Sequence, residues 1–106
     1  MSKWQPYNHG RTIGMQSAEG GKVVLDEEHP QGARITLKQG PDFVAVSCLI
    51  LGKIDHTRFF NEMETAKSEY KTMQKELGNV VDRIASAKSA DIKMWEAISV
   101  FVKRFP

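Results

Sequence analysis

Two short stretches of this 106-residue chain hold side chains whose types and spacing suit chemistry. In the first, Asp26-Glu27-Glu28 is followed directly by His29. Strand alternation would put Asp26 and Glu28 on one face, where carboxylates with a nearby imidazole could hold a divalent cation. In the second, His56-Thr57-Arg58, two-residue spacing places His56 and Arg58 on a common face as a base and an anion clamp. Each has a plainer alternative. The acids can be a solvated strand end with Asp26 answered by Arg34, and His56 and Arg58 can be the wet side of a strand that buries Phe59. Two or three ligands without a second cluster are a weak metal signal, so no metal and no cofactor are expected.

The remaining candidates are weaker still. Cys48 lies among Val44, Val46 and Ile50, where a thiol is a small buried hydrophobe rather than an activated nucleophile. As the lone cysteine it cannot form an intramolecular disulfide. Gly20-Gly21 leads into a strand, whereas a phosphate loop needs more glycines, or a lysine, feeding a helix N-terminus. Lys67, Lys71 and Lys75 form a stripe at i, i+4 spacing, but Glu69 and Glu76 flank it and no aromatic residue interleaves for base stacking.

Charge is spread evenly. Residues 1–25 carry three Lys/Arg and one acid, residues 26–61 four and five, and residues 62–106 eight and seven, for a net charge of +2. That balance disfavours a dedicated nucleic-acid binder. The longest apolar run, Phe43 to Leu51, is far short of the ~20 residues that cross a bilayer, and no signal-like segment opens the chain. The expectation is a cytoplasmic protein with no membrane partner.

The elements that must position these residues follow from periodicity. The length allows one hydrophobic core, hence a single domain over residues 1–106. Residues 1–21 read as an irregular lead-in with a possible edge strand over Arg11–Gln16. Val23–Glu28 and Ala33–Gln39 read as strands joined by His29-Pro30-Gln31-Gly32, a turn that Pro30 and Gly32 suit. Matching apolar faces sets Val23 against Leu37, Leu25 against Ile35 and Asp26 opposite Arg34, with an odd loop count or a bulge near Glu28. Phe43–Leu51 is apolar in both parities, as in a central strand covered on both faces. Gly52-Lys53 then turns the chain into a strand over Ile54–Phe60.

Asn61 is placed to cap a helix, with Glu64 completing a capping box. Met63, Ala66, Tyr70, Met73, Leu77, Val80, Ile84 and Ala87 then recur at alternating three- and four-residue spacing, one narrow buried seam. Gly78 falls on the outer face of that helix. Residues 62–87 would span about 39 Å unbroken, long for a domain with a radius near ~13 Å, so a bend at Gly78-Asn79 or a projecting end is expected. Ser89 caps a second helix, whose Met94, Trp95, Ile98, Phe101, Val102 and Phe105 form a wide apolar face. The fold class is α+β: an antiparallel meander of three to five strands, then two amphipathic helices packed on the sheet.

The segment from Ser17 to Leu37, SAEGGKVVLDEEHPQGARITL, together with His56-Thr-Arg-Phe-Phe60, resembles a group of small uncharacterised bacterial proteins. The resemblance covers about half the chain and implies a bacterial cytoplasmic source, with no activity or site residues to carry over.

Three functional readings follow. Surplus apolar surface points first to a non-enzymatic interaction protein, a homodimer or an immunity- or antitoxin-like partner binder, with Tyr70, Met73, Leu77, Val80 and Ile84 as interface candidates. The second is a small metal-dependent or acid–base enzyme using Asp26, Glu28, His29, His56 and Arg58. The third is a weak nucleic-acid binder.

Overall fold

The computed structural model describes residues 3–17, 20–50, 53–86 and 91–106, with side chains described over 3–17, 20–50, 53–84 and 95–106. Five strands form one antiparallel meander in the order β1 (Gln5–Pro6), β2 (Lys22–His29), β3 (Ala33–Gln39), β4 (Val44–Ile50) and β5 (Ile54–Phe60). Helices α1 (Met63–Ser86) and α2 (Asp91–Arg104) follow and cover one face of the sheet. The expected α+β architecture is the one observed.

Inward-facing residues make the core. Ala33, Ile35 and Leu37 of β3 and Val44, Val46, Cys48 and Ile50 of β4 meet Ala66, Tyr70, Met73, Leu77, Val80 and Val81 of α1. Ala97, Ile98, Phe101 and Phe105, from α2 and the chain just beyond it, complete the cluster. The seam expected along α1 is therefore buried inside the chain: Met73 and Leu77 are fully inaccessible, Tyr70 and Val80 are buried, and Ile84 packs half-buried against the same cluster. Ala87, Ser89, Gly52 and Leu51 lie outside the described residues, as do the side chains of Asp91 and Met94.

The hairpin between β2 and β3 corrects the expected register. Pro30-Gln31-Gly32 forms a three-residue loop, with Gly32 at φ +94° and its N–H bonded to the His29 carbonyl at 3.0 Å. A glycine in the left-handed region at the end of such a loop closes the hairpin tightly. His29 thereby joins the strand opposite Ala33, and Leu25 faces Leu37 rather than Ile35. The displacement is two residues from Leu25 to Glu28, so those side chains keep their expected faces, whereas Val23 pairs with Lys38 and turns to the face away from the helices. Asp26 sits opposite Thr36 and diagonal to Arg34, and the irregularity falls between Val23 and Leu25 instead of near Glu28.

Several other expectations change. In the lead-in Gln5–Pro6 pairs against Glu28 and Glu27, while residues 11–14 turn and the expected edge strand is reduced to a bridge of Gln16 with Lys22. β4 has only its even-numbered residues in the core; Ser47 and Leu49 lie half-buried on a face that no helix covers. On β5 the faces are inverted: His56 and Arg58 share a side with Ile54 and Phe60, toward the helices, and Phe59 is 69% exposed. The first bond of α1 runs from the Ala66 N–H to the Glu62 carbonyl, which moves the cap position from Asn61 to Glu62.

Helix α1 is unbroken through Gly78. Its 24 residues span about 36 Å, which fits within the 43 Å long axis of the molecule. Gly78 is buried, not outward, because the Trp4 indole lies against it: a Cβ there would meet Trp4 Nε1 at 3.2 Å. The helix crosses the sheet obliquely, from Arg58 of β5 near Glu69 to His29 of β2 near Asp82. α2 returns alongside, with Arg104 bonded to Glu76 at 3.1 Å, and covers apolar surface that α1 alone would leave exposed.

Candidate functional site

Asp26 is the most completely engaged of the residues singled out above. Its carboxylate is inaccessible to solvent and accepts from Thr12 Oγ1 at 2.8 Å, Thr36 Oγ1 at 3.0 Å, and Arg34 Nε and Nη2 at 2.9 and 2.7 Å. This two-pronged pairing raises the Arg34 pKa above its ordinary value, with partial burial opposing it. The Tyr7 ring stacks on the same guanidinium with its centroid 3.6 Å from Cζ. With four donors on two oxygens, Asp26 works as a structural hub and has no lone pair aimed at a ligand site. Glu28 beside it is exposed.

The acid cluster and His29 are split by the pleat. Glu27 and His29 face the helices. Glu27 accepts from Tyr70 Oη at 2.7 Å and Gln74 Nε2 at 2.8 Å. Burial, then this hydrogen bond, raise the Tyr70 pKa and keep the phenol protonated. The His29 ring is nearly inaccessible; its Nδ1 accepts from the Gln31 N–H at 3.1 Å, which puts the neutral ring's proton on Nε2, 3.7 Å from Asp82 Oδ1. Burial lowers the His29 pKa, Asp82 opposes that, and Lys3 adds to it. The Trp4 ring meets His29 edge-on at 5.2 Å. Together with Lys3, Lys75, Asn79 and Asp82 they border a pocket of about 310 Å³ whose Lys3–Asp82 ion pair is 2.9 Å long.

His56 and Arg58 stand on the far side of the sheet. His56 lies in one cross-strand row with Cys48, Ile35 and Glu27, three strand spacings or about 14 Å from Glu27, and both intervening side chains are fully buried. The histidines and acids therefore do not converge on one site. His56 Nε2 donates to the Phe105 carbonyl, pinning the chain just after α2. Arg58 bonds Glu69 Oε1 at 2.8 Å and sits over the rings of Phe60 and Phe105 at 5.1 and 5.6 Å. Cys48 is buried with its pKa pushed up to about 12 by desolvation, against a smaller opposing pull from Arg58. Among the described residues no group of three or more His, Cys, Asp or Glu side chains could hold a metal ion.

The surface that remains is the second face of the sheet. Tyr7 and Thr12 lie over its β2 side and over Arg34 at one end of β3, and Thr36 and Ala45 are buried, which leaves Lys38, Ser47, Leu49, Asp55, Thr57 and Phe59 exposed or half-exposed on β3, β4 and β5. Three cross-strand rows cross those strands: Arg34–Leu49–Asp55, Thr36–Ser47–Thr57 and Lys38–Ala45–Phe59. The hydroxyls of Ser47 and Thr57 bond each other at 2.9 Å, and Phe59 meets Phe43 edge-on at 5.9 Å. A groove of about 140 Å³ runs between Arg34, Thr36, Lys38, Ser47, Leu49 and Asp55. The sequence reading missed this face because it assigned Phe59 to the core. The signal was present in the polar odd positions Ser47, Asp55 and Thr57.

No family model, curated protein or solved structure matches the chain. No helix among the described residues is long and apolar enough to cross a membrane.

Proposed function

We propose that this chain is a protein-interaction module whose recognition surface is the uncovered face of β3, β4 and β5, in place of the helical seam. One observation carries the reading: Phe59, 69% exposed, stands on that face across from Ala45 and edge-on to Phe43, with half-buried Leu49 two rows further along. A large aromatic held in water near the end of the edge strand β5 adds nothing to the core, whereas aromatic side chains anchor interfaces. The setting agrees with this, since an exposed aromatic continuing into a row of hydroxyls and a row of charges of both signs combines an apolar anchor with a polar rim. The mixed signs, with Lys38 and Arg34 near Asp55 and Glu28, do not favour a phosphate backbone.

The test is photo-crosslinking. Benzoylphenylalanine replaces Phe59, a close aromatic substitute at an exposed position, or replaces Lys67 on the outer face of α1 as a control. Each variant is irradiated as purified chain and in bacterial extract. Adducts to a protein from position 59 and none from position 67 are expected. No adduct from position 59 in either setting, or equal labelling at both positions, overturns the reading.

A further inference from the structure

We infer that the occupant of this sheet face is a second copy of the chain, docked about a two-fold axis that runs along β4. The inference rests on the reading of that face as the recognition surface and adds the identity and geometry of the partner. β4 is the middle of the three strands that carry the patch beyond Tyr7 and Thr12. A two-fold lying in the interface along β4 puts each residue of β3 over the β5 residue of the same row in the other copy. The interface is then isologous, every contact occurring twice.

The rows of this chain are complementary under that operation. Arg34 falls opposite Asp55, Thr36 opposite Thr57, and Lys38 opposite Phe59. The outer two are a cation with a carboxylate and an ammonium with an aromatic face, and the middle one is neutral, its Thr36 buried with its hydroxyl on Asp26. Half-buried Ser47 and Leu49 lie on the axis and meet their own copies, a hydroxyl and an aliphatic side chain with no like-charge clash, while Ala45 on the same line is buried. Arg34 is already held in place by Asp26 and Tyr7. Phe59 enters beside Lys38, a residue that borders the 140 Å³ groove, so the patch supplies both a projecting ring and a recess to receive it. Strands of the two sheets run in the same direction before twist, the aligned class of sheet packing, about 10 Å apart.

The open patch is small. Two strand spacings by five residues is about 10 by 13 Å of backbone, below the ~800 Å² per partner of a standard stable interface. The dimer is accordingly weak, dissociating at about 0.1 mM, and weakens further with salt as the Arg34–Asp55 contacts are screened.

Sedimentation velocity of the full chain from 10 μM to 1 mM tests the assembly, and a short bis-maleimide tests the axis. Expected are a concentration-dependent dimer, an at least tenfold weaker one for both Asp55→Arg and Phe59→Ser, and a covalent dimer of Ser47→Cys but not of Lys67→Cys. Cys48 is fully buried and leaves the background low. Asp55 and Phe59 are exposed, so unchanged circular dichroism and thermal midpoints separate lost docking from lost folding. Strict monomers at 1 mM, or a dimer indifferent to both substitutions and without the Ser47→Cys adduct, overturn the inference. If monomers are found while position 59 still labels another protein in extract, the second copy is wrong and the recognition surface stands.

Discussion

Replacing Asp26 with asparagine changes two atoms' worth of chemistry at the best-connected polar group of the fold. The carboxylate is fully buried and accepts four hydrogen bonds, two of them from Arg34. An amide of the same shape turns one acceptor into a donor facing Thr12 or Arg34 and leaves the guanidinium without its counter-charge. Removing one partner of a buried pair costs roughly 3–5 kcal/mol. Arg34 is 32% exposed and recovers part of its hydration, which brings the expected loss to about 2–3 kcal/mol. For a chain of this length that lowers the thermal midpoint by about 10–20 °C. Urea titration followed by circular dichroism measures it, with exposed Glu28→Gln as a control expected within about 0.5 kcal/mol of the parent. Adding Arg34→Met to Asp26→Asn should restore part of the loss, because the orphaned charge is then gone. A cost for Asp26→Asn below about 1 kcal/mol, or one equal to the Glu28 control, refutes the hub assignment.

Two further predictions concern the contact of the lead-in with α1. Gly78→Ala should gain up to about 1 kcal/mol from helix propensity when Trp4 is also replaced by alanine, and clearly less when the indole is present, because the new Cβ would stand 3.2 Å from Trp4 Nε1; a double-mutant cycle with no coupling removes that contact from the account. His29 has a lowered pKa when folded, so the unfolded chain takes up its proton first as pH falls through the ordinary imidazole value of about 6.5. The associated stability is full above that value and lost on the way down to the folded pKa, and His29→Gln should flatten that part of the pH–stability curve; an unchanged slope contradicts it.

Much of the fold was legible because periodicity is a statement about faces. The displaced β2–β3 register shows how tolerant that information is. A shift of two residues preserves parity, so Leu25 still faces the core and Asp26 still reaches Arg34 along a diagonal. On β5, adjacent Phe59 and Phe60 gave each parity one aromatic, and polar His56 and Arg58 tipped the choice the wrong way. Their polar atoms are satisfied by the Phe105 carbonyl and Glu69, partners more than ten positions distant that local alternation does not reveal. Gly78 was misplaced for the same reason: its neighbour Trp4 comes from a lead-in with no periodicity. The α1 seam was read correctly as buried, but its cover was sought outside the chain when α2 and β3–β4 supply it.

The apolar character of β4 in both parities is the one sequence signal that the isolated chain satisfies by half. Val44, Val46, Cys48 and Ile50 are inside, but an antiparallel strand with one wet face should alternate, and Ala45, across from exposed Phe59, and Leu49, across from Asp55, interrupt the alternation. A phenylalanine buries some 200 Å² in full, so covering the exposed 69% removes about 140 Å² from water, worth about 3.5 kcal/mol per copy. Two copies give about 7 kcal/mol, against an association cost of roughly 4–15 kcal/mol for lost rotation and translation. Phe59 alone therefore brings two chains only to the edge of association, and the paired contacts of Arg34 with Asp55 and Lys38 with Phe59 must supply the surplus. That places the dimer in the weak range and makes Asp55→Arg, which deletes two attractions and adds two repulsions while leaving the apolar area intact, the sharper of the two substitutions.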